Sequence, residues 1–144
     1  NVLQSMLDFK GDIGIAVDLN WERNYANRTQ HPKSEADNVL VENNKIIKIK
    51  KNIIESNSKQ NLAEFVGLMK LSKQGGKIFT EKYEKLIKTH TGPFHEADSL
   101  SDAYFTDMLQ ELIESNVDIT PISVNGKWCE IDTMQDLKRA EEIF

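Results

Sequence analysis

Apolar and polar positions divide this chain into helix-like and strand-like stretches. Val2, Leu3, Met6, Leu7 and Phe9 fall at helical spacing and stop at Gly11, which predicts the end of an amphipathic helix. Asp12 to Asp18 (DIGIAVD) is a short Ile- and Val-rich run between acids, the pattern of a buried strand suited to parallel pairing. Leu19 to Asp37 has no period and is predicted to be a loop. Asn38–Glu42 and Ile46–Lys50 alternate around Asn43-Asn44, a hairpin with Val39 and Val41, then Ile47 and Ile49, each lining one face. After the polar connection 55–60, Ala63 to Leu71 is the next apolar run, interrupted by Gly67. A glycine inside a strand marks close backbone approach or a bulge. Ile78, Phe79, Tyr83, Leu86 and Ile87 recur at helical spacing from Ser72 to the stop at Thr91-Gly92-Pro93. Gly75-Gly76 weakens the first turn of that helix, and no Lys-Ser or Lys-Thr follows to make it a phosphate loop. Tyr104, Phe105, Met108, Leu109, Leu112 and Ile113 form a further stripe, behind the capping-box spacing of Ser99 and Asp102.

The last stretch, Ile119 to Ala140, organises the rest. Ile119, Ile122 and Val124 lead into Asn125-Gly126, a strong hairpin signal, and Lys127 to Ile131 is expected to return as a second strand. Met134, Leu137, Ala140 and Phe144 then follow at helical spacing with their apolar side predicted inward. Asp132 therefore stands between a strand end and a helix start, where open α/β sheets keep their ligands. It is either the helix cap, a role Asp favours, or a metal ligand.

Composition narrows the function classes. The 144 residues suit one domain, taken as 1–144, and a hydrophobic content of 39% with 28% charged residues suits a globular protein. A net charge of −5 argues against non-specific nucleic-acid binding. No apolar run approaches the roughly 20 residues of a membrane helix, and no signal peptide is visible. One cysteine, Cys129, excludes an internal disulfide and fits a cytoplasmic setting; in an expected strand it reads as a core residue. His95 beside Glu96 falls short of a metal signature and reads as a surface pair. The chain opens on Asn1 rather than Met, inside a helix, and is expected to be a piece of a longer protein. The order of elements predicts an α/β fold with a mixed sheet.

Trp128-Cys129-Glu130-Ile131-Asp132 with Asp136-Leu137 and Ala140 resembles the closing motif of bacterial nucleotidyltransferases. The resemblance continues upstream, in order, through Asp18 with Trp21 and Tyr25, then Glu64 with Gly67. It is nearest the cytidylyltransferases acting on phosphocholine or phosphonates, some of which follow a phosphoenolpyruvate phosphomutase domain. The resemblance implies a partial Rossmann-like three-layer α/β/α fold, of which the glycine-rich, basic nucleotide loop is absent here. This chain would supply the acceptor half. It implies Asp132 as ligand of a catalytic Mg²⁺, with a second carboxylate upstream of Asn1. A lysine meets the substrate phosphate, Lys50 or Lys51, with Lys51 favoured over a role as one of a solvated run. Glu64 and Gly67 match a Glu-aromatic-x-Gly pattern that contacts the acceptor, against an exposed acid and a bulge. Asp107, in Ala103-Tyr104-Phe105-Thr106-Asp107, lies near the substrate end, against a solvent-facing helix acid.

Trp21, Tyr25, Tyr104 and Trp128, with Asp18 and Glu130, are candidates for a cage around a cationic head group, against simple packing. The reaction implied joins CTP, or another nucleoside triphosphate, to a small acceptor such as phosphocholine or 2-aminoethylphosphonate and releases pyrophosphate. A non-catalytic regulatory or assembly domain of the same fold is the alternative. Contact with the missing N-terminal portion, or a homodimer, is expected to cover the sheet edge left open.

Overall fold

The computed structural model describes residues 2–124 and 128–143. The element order is α1 (Val2–Asp8), β1 (Ile13–Asp18), β2 (Asp37–Glu42), β3 (Lys45–Lys51), β4 (Asn61–Leu71), α2 (Lys73–Thr89), α3 (Phe105–Glu114), β5 (Thr120–Ser123) and α4 (Met134–Ile143). The strands form one sheet in the order β3-β2-β4-β1-β5. All neighbours are antiparallel except β1 and β5, which run parallel. The expected α/β architecture with a mixed sheet is therefore present.

β1 is buried along its whole length because both faces are covered. Ile13, Ile15 and Val17 point into the main core with Leu86 of α2 and Met108, Leu109 and Leu112 of α3. The small residue Ala16 faces the other way, in a thinner cluster with Met6 of α1, Ile122 and Val124. The long β4 carries the sheet's bend: its first half pairs with β2 and its second with β1, so Asp18, Glu64 and Asn38 lie side by side in one row. Opposite β1 the register shifts between Ile15 and Val17, and Gly67 sits at φ +75°. A Cβ there would meet nothing within 4 Å. Gly67 thus serves backbone geometry at a bulge, and no chain approaches it closely.

Gly75 is the close approach instead. A Cβ on it would lie 2.0 Å from the backbone oxygen of Asp12, the same oxygen that accepts from Ser72 N at 2.9 Å. Ser72 caps α2 through its hydroxyl on Gly75 N at 3.0 Å. Gly75→Ala must push α2 off the start of β1 and is expected to cost about 2 kcal/mol, read as a lower urea midpoint at unchanged m-value.

Three sequence expectations are corrected. The Asn43-Asn44 turn forms, with φ of 49° and 59°, but a bulge between Leu40 and Val41 shifts the register. Ile46 and Ile49 are therefore the buried pair on β3, not Ile47 and Ile49. Trp128 to Ile131 do not return as a strand. Trp128 bonded to Asp18 and Glu130 beside Arg28 hold this segment where a ladder was expected; Asn125 and Gly126, on which the turn was placed, and Lys127, where the strand was to start, lie outside the described residues. On α4 the buried residues are Asp136 and Ala140, while Met134 and Leu137 are exposed. The helix docks through an ion pair, so its apolar stripe does not set its orientation; Phe144 lies outside the described residues.

Candidate functional site

The row Asp18, Glu64 and Asn38 marks one end of the sheet, and the 19–37 loop folds over it. Asp18 is fully buried and anchors that loop. Its Oδ1 accepts Asn20 N at 2.8 Å; its Oδ2 accepts Trp128 Nε1 at 2.7 Å and Arg23 Nη2 at 3.3 Å. This is an Asx-type turn joined to a salt bridge, and it leaves Asp18 committed to internal donors. Trp21 is also interior: it packs edge-on to Tyr25, with centroids 5.6 Å apart, beside Ala36 and Leu62.

Tyr25 is buried and donates its hydroxyl hydrogen bond to Glu64 Oε1. Burial and the adjacent Glu64 carboxylate raise the tyrosine's pKa, so it stays protonated as a donor. Glu64 itself is pushed up to about 7, by burial first and then by the charges of Glu130 and Asp18, with the Tyr25 bond and Arg28 opposing. A carboxyl raised in the folded state adds stability below its unfolded value, 4.5, which is lost as pH rises through about 7. The loss is on the order of 3 kcal/mol. We expect the melting temperature to fall between pH 4.5 and 7 by less in Glu64→Gln than in the parent, as read by calorimetry at matched ionic strength.

Across the cleft, Arg28 is the pivot. Its guanidinium is 7% exposed, with Nε on Asp136 Oδ1 at 2.6 Å, Nη2 on Asp136 Oδ2 at 3.1 Å and on Asp132 Oδ2 at 3.0 Å. Glu130 stands 3.6 Å from Nη1. Asp136 also accepts from Thr133 N and Thr133 Oγ1, while Thr133 Oγ1 accepts from Asp136 N. That is a capping box at the head of α4. Thr133, not Asp132, therefore caps the helix, and the Asp132 carboxylate is left 44% exposed beside the cleft.

Asp132, Glu130 and His31 converge. Their ligand atoms all lie within 4.8 Å of one another, and His31 Nδ1 is 3.3 Å from Asp132 Oδ2. Two carboxylates and an imidazole are a donor set that fits a divalent cation. The sequence singled out Asp132 for metal and Glu130 for substrate; Arg28 and His31 stand inside the aperiodic 19–37 stretch and were not among its candidates. Their sole signal was a long polar loop carrying several cations. A cavity of about 20 Å³ opens beside this group, lined among others by Arg28, Glu64, Trp128, Glu130 and Asp136.

The remaining candidates stand apart. Lys51 pairs with Glu35 at 2.9 Å and lies 5.8 Å from the centroid of Tyr104, which is 71% exposed. Trp21 and Tyr25 are buried while Tyr104 is exposed, and among the described residues no ring contact joins Tyr104 to Trp21, Tyr25 or Trp128. Asp107 is buried rather than solvent-facing. Its oxygens accept from Tyr104 N at 2.8 Å and Glu96 N at 3.2 Å, which starts α3 and ties down the preceding loop. His95 pairs with Glu111, 3.0 Å away, and Glu96 with Lys50, so these two are not partners of each other.

No protein-family model matches the chain. A search of solved structures finds the inositol-1-phosphate CTP transferase from T. maritima, with a TM-score of 0.59 at 20% identity, over 96% of this chain and 49% of that one. The chain shares the fold of a CTP transferase. In sequence it is similar to the CTP:phosphoglutamine cytidylyltransferase of Campylobacter jejuni, 28% identical over 137 residues. That match covers 94% of this chain and 52% of the relative, so the chain spans about half the length of the curated relative it matches. Among the described residues no helix is long and apolar enough to cross a membrane.

Proposed function

We propose that this chain is the acceptor- and metal-binding part of a cytidylyltransferase-type enzyme. It would join CTP to a small phosphorylated or phosphonylated acceptor and release pyrophosphate. The observation that carries this reading is the convergence of Asp132, Glu130 and His31 beside the Glu64–Trp128 cavity, at one end of a sheet with a CTP transferase fold. Support also comes from the relative, whose name gives CTP and phosphoglutamine as its substrates.

Asp132 and Glu130 would hold Mg²⁺, with His31 completing the set. When bound, the ion supplies charge neutralisation at the phosphates. Arg28, itself fixed by Asp136, touches both carboxylates: Asp132 at 3.0 Å and Glu130 at 3.6 Å. Trp128 and Glu64 line the cavity in which the acceptor's non-phosphate end would sit, and Tyr25 holds Glu64 there from behind. The acceptor's phosphate oxygen attacks the α-phosphorus, and the Pα–O bond to pyrophosphate breaks. Lys51, at the end of β3 and paired with Glu35 apart from this group, would have to exchange that partner to meet the incoming anion.

The test is pyrophosphate release by the full-length protein with CTP and Mg²⁺. Phosphocholine, 2-aminoethylphosphonate and phosphoglutamine are offered in parallel. Release that needs both CTP and one acceptor is expected. No release with any of the three, from protein that is folded by circular dichroism, overturns the assignment.

A further inference from the structure

Glu64 holds an unused hydrogen-bonding atom. The residue is 3% exposed, its Oε1 accepts from Tyr25, and its Oε2 is buried with no partner among the described residues. A buried acceptor left unpaired is costly, so a folded protein retains one where something else supplies the donor. The residue lines the cavity beside Arg28, Trp128 and Glu130, and the cavity's volume of about 20 Å³ admits one group the size of a water. Arg28 cannot serve Oε2 from its present place, since its bonds go to Asp136 and Asp132.

From this we infer that Glu64 selects acceptors by an N–H donor. The head group would be a primary ammonium or a carboxamide, and quaternary ammonium would be rejected. An –NH₃⁺ or amide –NH₂ is close to water in size and donates to Oε2. A trimethylammonium group has no N–H to give, leaves Oε2 unpaired, and exceeds the cavity by three methyl groups. Sites built to hydrogen-bond a ligand N–H discriminate strongly against the analogue that lacks it, because the site's own buried group is then stranded. This inference rests on the proposed function only in taking the cavity as the acceptor's seat.

The experiment compares 2-aminoethylphosphonate with its N,N,N-trimethyl analogue, titrated into the full-length protein without CTP. Calorimetry measures affinity. The primary amine is expected to bind about tenfold tighter or more. Glu64→Gln should weaken the amine by a similar factor and change the trimethyl compound less than about twofold. Equal affinities in the unmodified protein overturn the inference without recourse to a variant, and so does failure of the amine to bind at millimolar concentration, which would leave the cavity to a water. The two proposals fail separately. Pyrophosphate release with phosphocholine alone would preserve the transferase and sink the N–H selection. Glu64-dependent amine binding without any pyrophosphate release would do the reverse.

Discussion

Arg28→Ala is expected to lower the domain's stability by about 4 kcal/mol, the scale for breaking one partner out of a buried ion pair. Asp136 is 2% exposed, and the substitution leaves its charge in place without the guanidinium that opposes it. Thr133 continues to donate two bonds, so α4 keeps its cap and the exposed Gln135 bonds to the loop but loses its buried ion pair with it. The effect should appear as a lower urea midpoint with an unchanged m-value. Burial alone would raise the Asp136 pKa, but the Arg28 and Thr133 hydrogen bonds outweigh it and hold the carboxyl well below the ordinary range. A lowered carboxyl adds stability above its unfolded value, 3.8, and loses it as pH falls below. The acid side of the stability curve should therefore flatten in Arg28→Ala. The double variant Arg28→Met, Asp136→Leu should recover part of the loss, because it removes the stranded charge as well as its partner. A single variant within about 1 kcal/mol of the parent would show that this pair does not hold α4 in place.

Asp132→Asn has the opposite profile. Its carboxylate is 44% exposed and the Arg28–Asp136 pair survives without it, so folding stability should change by no more than about 0.5 kcal/mol. CTP-dependent pyrophosphate release, however, should fall by about 10²–10³, the usual scale for losing one electrostatic contact to developing charge. Glu130→Gln should act in the same direction. Titrating Mg²⁺ separates the causes: a metal ligand lost shows as a higher metal requirement, which a merely structural residue does not produce. Unchanged turnover in Asp132→Asn would end the metal assignment, while leaving the fold as described.

Arg28 and Asp132 also divide what could be read along the chain from what could not. Periods of two and 3.6 in the apolar residues are local properties. They located α1, β1, the β2–β3 turn at Asn43-Asn44, β4, α2 and α3, because each element buries whichever face its own spacing makes apolar. Failures occurred where an interaction between distant residues outweighed the local preference. Leu40's bulge moved the buried pair on β3 to Ile46 and Ile49. Gly67 took the bulge rather than the close approach, and Gly75's role lay in a carbonyl sixty-three residues away.

By itself, then, the sequence determined the layer type, the order of most elements, and a carboxylate between the last strand region and the last helix. The tertiary structure alone decided which acids face the cleft. Thr133 took the cap and released Asp132; Asp18 was consumed by the loop's own donors; Tyr25 satisfied one oxygen of Glu64 and left the other bare. The Asp18 and Glu64 outcomes depend on hydrogen bonds that span 39 to 110 residues of the chain, and the place of α4 on an ion pair that spans 108. Spacing along the chain cannot register such pairs, because the energy of a buried charge depends on which groups surround it in space.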